Sequence, residues 1–191
     1  MPLDIGIPGT LQTIITAEQI QRRVADIARQ INTDYAGKTL YIVGVLEDGF
    51  VFTADLVRQL EIPVICQFVK PASQDVQRGD AVTTEIFFSP EVNVRNGEVL
   101  LIHGLIQSGI TTEFLTRNLL ARGAVSVKVA TLLDRQTGRR VMLQPDYFGF
   151  LVDESYVFGC GLGNPHFGRN LPYIATTKEA MAEAAARKTA K

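Results

Sequence analysis

Glycine and hydroxyl residues are concentrated in one short stretch of the sequence, residues 104–112, which reads GLIQSGITT. An apolar run at 99–102 precedes it and is typical of a strand buried on both faces. Backbone N–H groups at the start of a following helix would attract an anion, and the hydroxyls of Ser108, Thr111 and Thr112 would add donors. The stretch therefore predicts a phosphate-binding loop, with an ordinary helix-capping turn as the alternative.

The helix after this loop is predicted from apolar residues at helical spacing on its inward side. These residues are Phe114, Leu115, Leu119 and Leu120. No Gly-Lys-Ser/Thr sequence and no Gly-x-Gly-x-x-Gly sequence occurs at the loop, which excludes a P-loop and a dinucleotide-binding fingerprint there.

Strand patterns and helix patterns alternate along the chain, which predicts an α/β fold with a parallel sheet and right-handed crossovers. Strands are predicted over 39–45, 62–69, 84–88, 99–102 and 125–133, and helices over 16–32, 50–60 and after 110. Ligands of such sheets bind outside the carboxyl ends of the strands. This rule predicts one crevice surrounded by Glu47, Asp48, the loop 103–112 and Arg135.

The remaining segments are less regular. Residues 1–15 predict an irregular arm or a short edge strand, and the polar stretch 70–83 predicts a lid or binding loop, with a disordered excursion as the alternative. Beyond 145 the aromatic and glycine-rich sequence predicts short strands and loops that fold back over the crevice. The alanine-rich tail, 177–191, predicts an exposed terminal helix or a frayed end.

The size and composition of the chain limit its class. A length of 191 residues fits a single domain, and a net charge of -1 gives no reason to expect nucleic acid or an anionic membrane as a partner. No apolar run reaches membrane-spanning length, and the N-terminus lacks a basic segment followed by an apolar one. Cys66 and Cys160 predict buried free thiols, which suit a reducing compartment, so a cytoplasmic location is expected.

Five segments in order along the chain resemble the purine phosphoribosyltransferases of the hypoxanthine type. The segments are 43–56 (VGVLEDGFVFTADL), 99–112 (VLLIHGLIQSGITT), 131–140 (TLLDRQTGRR), 145–150 (PDYFGF) and 157–174 (VFGCGLG…RNLPYI). The resemblance covers nearly the whole chain. It implies a type I phosphoribosyltransferase-like core with a twisted parallel sheet flanked by helices, and a small hood formed by about 1–15 and 145–176. It also implies a homodimer or homotetramer.

The reaction that the resemblance implies joins a purine base to phosphoribosyl diphosphate, releases pyrophosphate and uses Mg²⁺ in purine salvage. By similarity, three groups of residues have binding roles. The 5′-phosphate is bound by Ser108, Gly109, Ile110, Thr111 and Thr112, the base by Arg135, Tyr156 and Val157, and the pyrophosphate by Asp48, Gly49 and Arg169. The milder alternatives are a hood-packing aromatic for Tyr156 and solvated charges for the two arginines. A cis peptide bond is expected between Leu46 and Glu47.

Several positions depart from the family pattern. His103 and Gly104 stand where two adjacent acidic residues bind the ribose, and Gln107 stands at the position of the aspartate that acts as general base. Gly163 stands at the metal-binding aspartate, so no protein ligand for a metal is predicted. An amide has no useful basicity, and a lone histidine at a strand end is typical of a hydrogen-bonded structural residue. The alternatives for His103 are a replacement base and a metal ligand.

The pyrophosphate loop departs from the pattern as well. Glu47 and Asp48 stand where lysine and glycine are usual, and two carboxylates repel an incoming pyrophosphate unless a cation intervenes. A relocated Mg²⁺ site on these two residues is the alternative. His166, in a Pro-containing turn, predicts a surface residue rather than a ligand.

Three hypotheses follow from these residues. The first is a protein that binds a purine 5′-monophosphate or a phosphoribosyl ligand, such as phosphoribosyl diphosphate, but whose transfer activity is weakened or lost. The second is an active purine-salvage enzyme, and the third is a non-catalytic partner subunit. The replaced carboxylates favour the first, because loss of a general base alone costs about 10²–10⁴ in rate.

Overall fold

The central layer of the protein is a parallel β-sheet of five strands. A computed structural model describes residues 11–78, 81–87, 92–163 and 168–179. In chain order the elements are β1 (Leu11–Ile15), α1 (Ala17–Asp34), β2 (Leu40–Val45), α2 (Phe50–Val57), β3 (Val64–Val69), β4 (Ala72–Arg78), β5 (Ala81–Phe87), β6 (Glu98–Ile106), α3 (Ile110–Ala121), β7 (Ser126–Asp134), β8 (Tyr147–Leu151) and β9 (Ile174–Thr177).

The strand order in this sheet is β3-β2-β6-β7-β8, and the predicted α/β class is confirmed. From β2 the chain continues to β3 on one side, whereas from β6 it continues through β7 to β8 on the other side. The loops that follow β2 and β6 therefore leave neighbouring strands in opposite directions, which opens a crevice between them. The two strands are in register, with Gly44 opposite Ile102, so both loops begin at the same edge of the sheet.

Helices cover both faces of the sheet, because alternate residues of each buried strand point to opposite sides. On β6, Leu100 and Ile102 pack with α1 and α2, whereas Val99 and Leu101 pack with α3. The start of α1 has the predicted capping box between Thr16 and Gln19. Its Arg23 side chain donates through Nη2 to the Phe148 carbonyl at 2.6 Å, which ties α1 to β8.

Two smaller antiparallel sheets accompany the core. β1 pairs with β9, and a bridge between Phe158 and Ala175 extends this contact into the segment that follows β8. The short-edge-strand alternative for residues 1–15 is thus correct for Leu11–Ile15. β4 pairs with β5, so the polar stretch over 70–83 belongs to a two-stranded ribbon rather than to an irregular loop, and its role as a lid or binding loop stays a prediction. The sequence of β4, ASQDVQR, lacks the apolar alternation from which a strand is predicted.

The sequence also misplaced the segment after Pro145. Residues 147–151 form β8, which is the edge strand of the central sheet and not part of the loops over the crevice. Cys66 is exposed although a buried thiol was predicted, because β3 is the other edge strand; Cys160 is buried as predicted. Leu120 is 46% exposed, because it lies near the end of α3 and away from the face that carries Leu115 and Leu119.

Helix bounds differ slightly from those predicted. α1 continues to Asp34, beyond residue 32, and α2 ends at Val57, before residue 60. Residues 1–10, His166 and the tail beyond residue 179 lie outside the described ranges. Within those ranges, the helices are too short or too polar to cross a membrane.

Candidate functional site

A cavity of about 270 Å³ opens where β2 and β6 end. Its walls come from the loop after β2, the last residues of β6 with the loop that follows, and the first turn of α3. The structure thus brings eight of the residues singled out in the sequence around one cavity: Asp48, His103, Gly104, Gln107, Ser108, Gly109, Thr111 and Thr112. The cavity lies at the predicted edge of the sheet, but two residues expected around it, Glu47 and Arg135, are not among its lining residues.

The first turn of α3 has the features of an anion-binding site. The residue before the helix, Gly109, has a φ of 80° and provides no side-chain cap. The N–H groups of Thr111 and Thr112 have no hydrogen-bond acceptor among the described residues. By contrast, the start of α1 is satisfied internally by its capping box. The helix dipole and these two N–H groups therefore favour an anion in the cavity.

Ser108 contributes partly to capping. Its Oγ accepts a hydrogen bond from the Ile110 N–H at 3.4 Å, which is long for such a bond. Its carbonyl accepts one from the Arg140 N–H at 2.9 Å. The capping alternative for this loop therefore holds for one N–H group of the first turn and leaves two for a ligand.

The segment 138–143 lies against this loop, a contact that the sequence did not predict. A Cβ at Gly109 would lie 2.6 Å from the Val141 Cγ2, and a Cβ at Gly138 would lie 3.6 Å from the Gln107 Nε2. Arg139 forms a buried ion pair with Asp134 at the end of β7 and donates to the Leu143 carbonyl at 2.8 Å. Two adjacent arginines soon after a buried strand were the signal in the sequence.

The loop after β2 packs directly on β6. A Cβ at Gly104 would lie 2.3 Å from the Asp48 carbonyl oxygen, a distance that real Cβ atoms do not adopt. The contact is with backbone, so a side chain at position 104 cannot be accommodated by rotating a neighbour. An aspartate at this position would displace the loop that carries Glu47 and Asp48. The Leu46–Glu47 peptide bond in that loop is cis, as predicted.

Both carboxylates of this loop form ion pairs. Glu47 contacts Lys70 at 2.7 Å through Oε1 and Arg169 at 3.2 Å through Oε2, and Asp48 contacts Arg169 at 3.5 Å. The hydrogen bond from Lys70 lowers the pKa of Glu47, whereas partial burial raises the pKa of Asp48 against the opposing charge of Arg169. Arg169 is therefore an ion-paired residue, and the solvated-charge alternative is wrong for it.

His103 lies in the cavity wall and is 6% exposed. Desolvation lowers its pKa to about 4, so the imidazole is neutral at physiological pH. Its Nε2 is buried without a hydrogen-bond partner in the part of the chain that the structure describes. The hydrogen bond expected of a structural histidine is therefore missing at the Nε2 of His103 among the described residues. Gln107, at the general-base position, is exposed.

The predicted base-binding residues lie beside the cavity rather than in its wall. Arg135 is buried, and its Nη1 donates to the Glu154 and Ser155 carbonyls at 2.6 and 2.7 Å. Tyr156 follows directly and is 68% exposed, so it is not a packed hood aromatic. Val157 is buried. Arg135 is therefore not a solvated charge: it holds the segment that presents Tyr156.

The residues at the site do not fit Mg²⁺. This ion prefers oxygen ligands in octahedral geometry, and the positions where the family pattern has carboxylates provide an imidazole, an amide and two glycines. Glu47 and Asp48 are engaged by Lys70 and Arg169. Over the described ranges, no group of three or more His, Cys, Asp or Glu side chains has the arrangement of a metal site.

Comparison with known proteins identifies the class. The model of the phosphoribosyl transferase domain matches residues 12–164. The chain is 30% identical to the hypoxanthine-guanine phosphoribosyltransferase of Bacillus subtilis over 172 residues, which cover 90% of this chain and 96% of that protein. It is 32% identical over 167 residues to the bifunctional protein TilS/HprT of Listeria monocytogenes, of whose length it spans only 26%.

Solved structures agree. The hypoxanthine-guanine phosphoribosyltransferase of Bacillus anthracis has a TM-score of 0.79 and 30% identity, with 90% of this chain and 99% of that chain covered. The hypoxanthine phosphoribosyltransferase of Trypanosoma cruzi, in complex with the product IMP, has a TM-score of 0.77 and 27% identity, with 87% and 93% covered. The chain belongs to the phosphoribosyltransferase family. Within that family it is similar to the hypoxanthine-guanine enzymes, so the predicted resemblance is confirmed.

The contact at Gly104 leads to a stability prediction. Gly104→Ala should lower the free energy of unfolding by about 1–3 kcal/mol, because the new methyl group meets backbone that cannot move aside. Urea denaturation measures the change. Gly44→Ala is the control: its Cβ would meet only side-chain atoms, the half-exposed Phe68 ring at 2.7 Å and the buried Thr53 Oγ1 at 3.0 Å, so a smaller loss is expected. Equal losses for the two variants would contradict the importance of the Asp48 contact.

The burial of His103 leads to a pH prediction. The folded pKa, about 4, lies below the unfolded value of 6.5, so the stabilisation by neutral His103 is complete above pH 6.5 and declines as the pH falls toward 4. His103→Gln should remove this part of the pH dependence. In NMR titrations, the imidazole signal that disappears in this variant should not shift above about pH 5. A midpoint near 6.5 would show that His103 is accessible to water.

Proposed function

We propose that the protein binds a purine 5′-monophosphate or another phosphoribosyl ligand, and that phosphoribosyl transfer is weakened or lost. The observation that carries this proposal is the first turn of α3. The N–H groups of Thr111 and Thr112 face a cavity whose wall carries an imidazole and an amide where catalysis needs carboxylates. The site has N–H donors that can bind phosphate, but it has no carboxylate that can act as the general base.

The rest of the ligand would extend from the phosphate toward β7. The T. cruzi relative binds IMP, a purine nucleotide, and in this chain Arg135 holds the segment that presents the exposed Tyr156 ring. An exposed aromatic ring suits stacking on a purine. The Val157 backbone is the third member of this proposed base site. Gly49, which precedes α2, and Ile110, which begins α3, would contribute backbone groups. Gly163 leaves the family's metal-binding position without a ligand side chain.

Weak transfer follows from the charges that the reaction develops. Departure of pyrophosphate leaves positive charge on the ribosyl ring, which a neutral His103 and a glycine at 104 cannot stabilise. The Gln107 amide cannot accept the purine proton at neutral pH. These deficits lie in one catalytic unit, so their costs do not simply add.

An active purine-salvage enzyme is the alternative, and the 30% identity to the B. subtilis enzyme favours it. In either case we propose a single domain over the whole chain, a homodimer or homotetramer, and a cytoplasmic location. A cofactor role for Mg²⁺ belongs to the active-enzyme alternative, because the residues described at the site do not fit the ion.

The binding part of the proposal predicts a selective thermal shift. Inosine and guanosine 5′-monophosphate should raise the Tm, whereas the corresponding nucleosides should not, because the phosphate supplies the contacts with α3. Thr111→Val should weaken nucleotide binding by about tenfold through loss of one hydrogen bond to a charged group. Thr39→Val, an exposed threonine before β2, is the control. Equal shifts from nucleotides and nucleosides would remove phosphate recognition from the proposal.

The catalytic part predicts little product from hypoxanthine or guanine with phosphoribosyl diphosphate and Mg²⁺. The B. subtilis relative, assayed in parallel, sets the scale. Gln107→Asp restores a carboxylate at an exposed position and should raise the rate above that of the wild type, while Gln59→Asp, exposed at the end of α2, should not. Wild-type turnover similar to that of the relative would establish the active-enzyme alternative instead.

A further inference from the structure

The loop after β2, whose Asp48 lines the cavity, carries a set of ion pairs. Arg169 contacts Glu47 at 3.2 Å through Nη1 and Asp48 at 3.5 Å through Nη2, so its guanidinium is held by two carboxylates. The other oxygen of Glu47 contacts Lys70 at 2.7 Å. Two cations and two anions therefore offset one another at this place, so a ligand anion there would compete with two carboxylates for the same cations.

The opposite side of the cavity has the reverse character. The first turn of α3 offers two N–H groups without an acceptor among the described residues and a positive helix end, and its acidic residue, Glu113, is ion-paired with Arg117 at 2.8 Å. Thr112 is buried there, and no carboxylate comes from the 103–109 segment that separates the two sides. The α3 end of the cavity thus has hydrogen-bond donors for a phosphate group. At the end formed by the loop after β2, the charges of the cations are offset by the protein's own carboxylates.

A ligand with phosphate at one end only fits this distribution. A diphosphate at the other end would need Arg169 and Lys70 as counter-charges, but it would meet Glu47 and Asp48 at the same place and repel them. The loop cannot shift toward β6 to take the carboxylates away from the cavity, because the Asp48 carbonyl already lies close to Gly104. A cavity of about 270 Å³ is also near the lower limit for ligand sites.

We propose that Glu47 and Asp48 make this site selective for ligands that carry a single phosphate group, and that they exclude the diphosphate end of phosphoribosyl diphosphate. The selectivity does not depend on a divalent cation. This inference rests on the proposed function, since it assumes that the α3 end binds phosphate. It adds the ligand class: phosphate monoesters of ribose or of nucleosides.

Isothermal titration calorimetry of the full chain tests the inference, with ribose 5-phosphate, phosphoribosyl diphosphate and inorganic pyrophosphate as probes, each with and without MgCl₂. The wild type should bind ribose 5-phosphate about tenfold more tightly than phosphoribosyl diphosphate, and pyrophosphate weakly. The double variant Glu47→Gln, Asp48→Asn frees Arg169 and Lys70. It should bind phosphoribosyl diphosphate and pyrophosphate at least about tenfold more tightly than the wild type, with ribose 5-phosphate changed by less than about threefold.

A matched control separates this local effect from the change in net charge. Asp26→Asn with Glu98→Gln also removes two negative charges that are paired with basic residues, but from α1 and from the start of β6, away from the cavity. It should leave all three affinities unchanged. Equal gains in the control would overturn the inference.

The remaining outcomes distinguish the two proposals. If the wild type binds phosphoribosyl diphosphate as tightly as ribose 5-phosphate, the selectivity is refuted while phosphate binding stands. If ribose 5-phosphate, phosphoribosyl diphosphate and purine nucleotides all fail to bind, the proposed function fails, and the inference fails with it. If the double variant does not fold, the ratio of the wild-type affinities for ribose 5-phosphate and phosphoribosyl diphosphate decides the inference by itself.

Discussion

The contact between the Asp48 carbonyl and Gly104 determines the geometry of this site. β2 and β6 are parallel neighbours, and the loop that leaves β2 turns back over the backbone of β6 at the one position that lacks a side chain. Because the contact is between main-chain atoms, it constrains the loop more strictly than an ion pair between flexible side chains would. Because a Cβ at position 104 would clash with this carbonyl, an acidic residue there is incompatible with the present position of the loop.

The charges at the cavity follow from this loop position. With the backbone of Asp48 fixed, the two carboxylates reach Arg169, and Glu47 also reaches Lys70. Near the base of the cavity, desolvation keeps His103 neutral. The start of α3 has two N–H groups without acceptors among the described residues, and Glu113 in its first turn is paired with Arg117. A small anion at that end is the complement of these N–H groups.

Apolar runs and spacing in the sequence were sufficient to predict the parallel sheet and the turn that leads from β6 into α3. β6 is buried on both faces, and such a strand has a nearly continuous apolar sequence, so its pattern is unambiguous. Edge strands were harder: β3 has the same apolar character, yet Cys66 is exposed because no strand covers it on that side. β8 was misplaced because a five-residue aromatic strand with a glycine at its centre has the composition of a loop segment.

Contacts that join distant parts of the chain were not predictable from local pattern. Nothing in the sequence around Gly109 indicates that Val141 packs on it, and the pairing of Arg169 with Glu47 joins residues more than a hundred positions apart. The acidic character of 47–48 and the basic character of 169 were visible separately. Their mutual neutralisation depends on the tertiary fold, and it changes the expected effect of the carboxylates from simple repulsion to competition for a cation.

Binding and catalysis depend on different parts of this chain. In the proposed binding mode, phosphate would be held mainly by main-chain N–H groups at a helix end, and those groups remain when side chains are substituted. Phosphoribosyl transfer depends on side chains with a charge or a suitable pKa, and each substitution at 103, 104 or 107 removes such a group directly. A family member can therefore lose much of its reaction while the fold and the phosphate grip persist, since the fold supplies the grip.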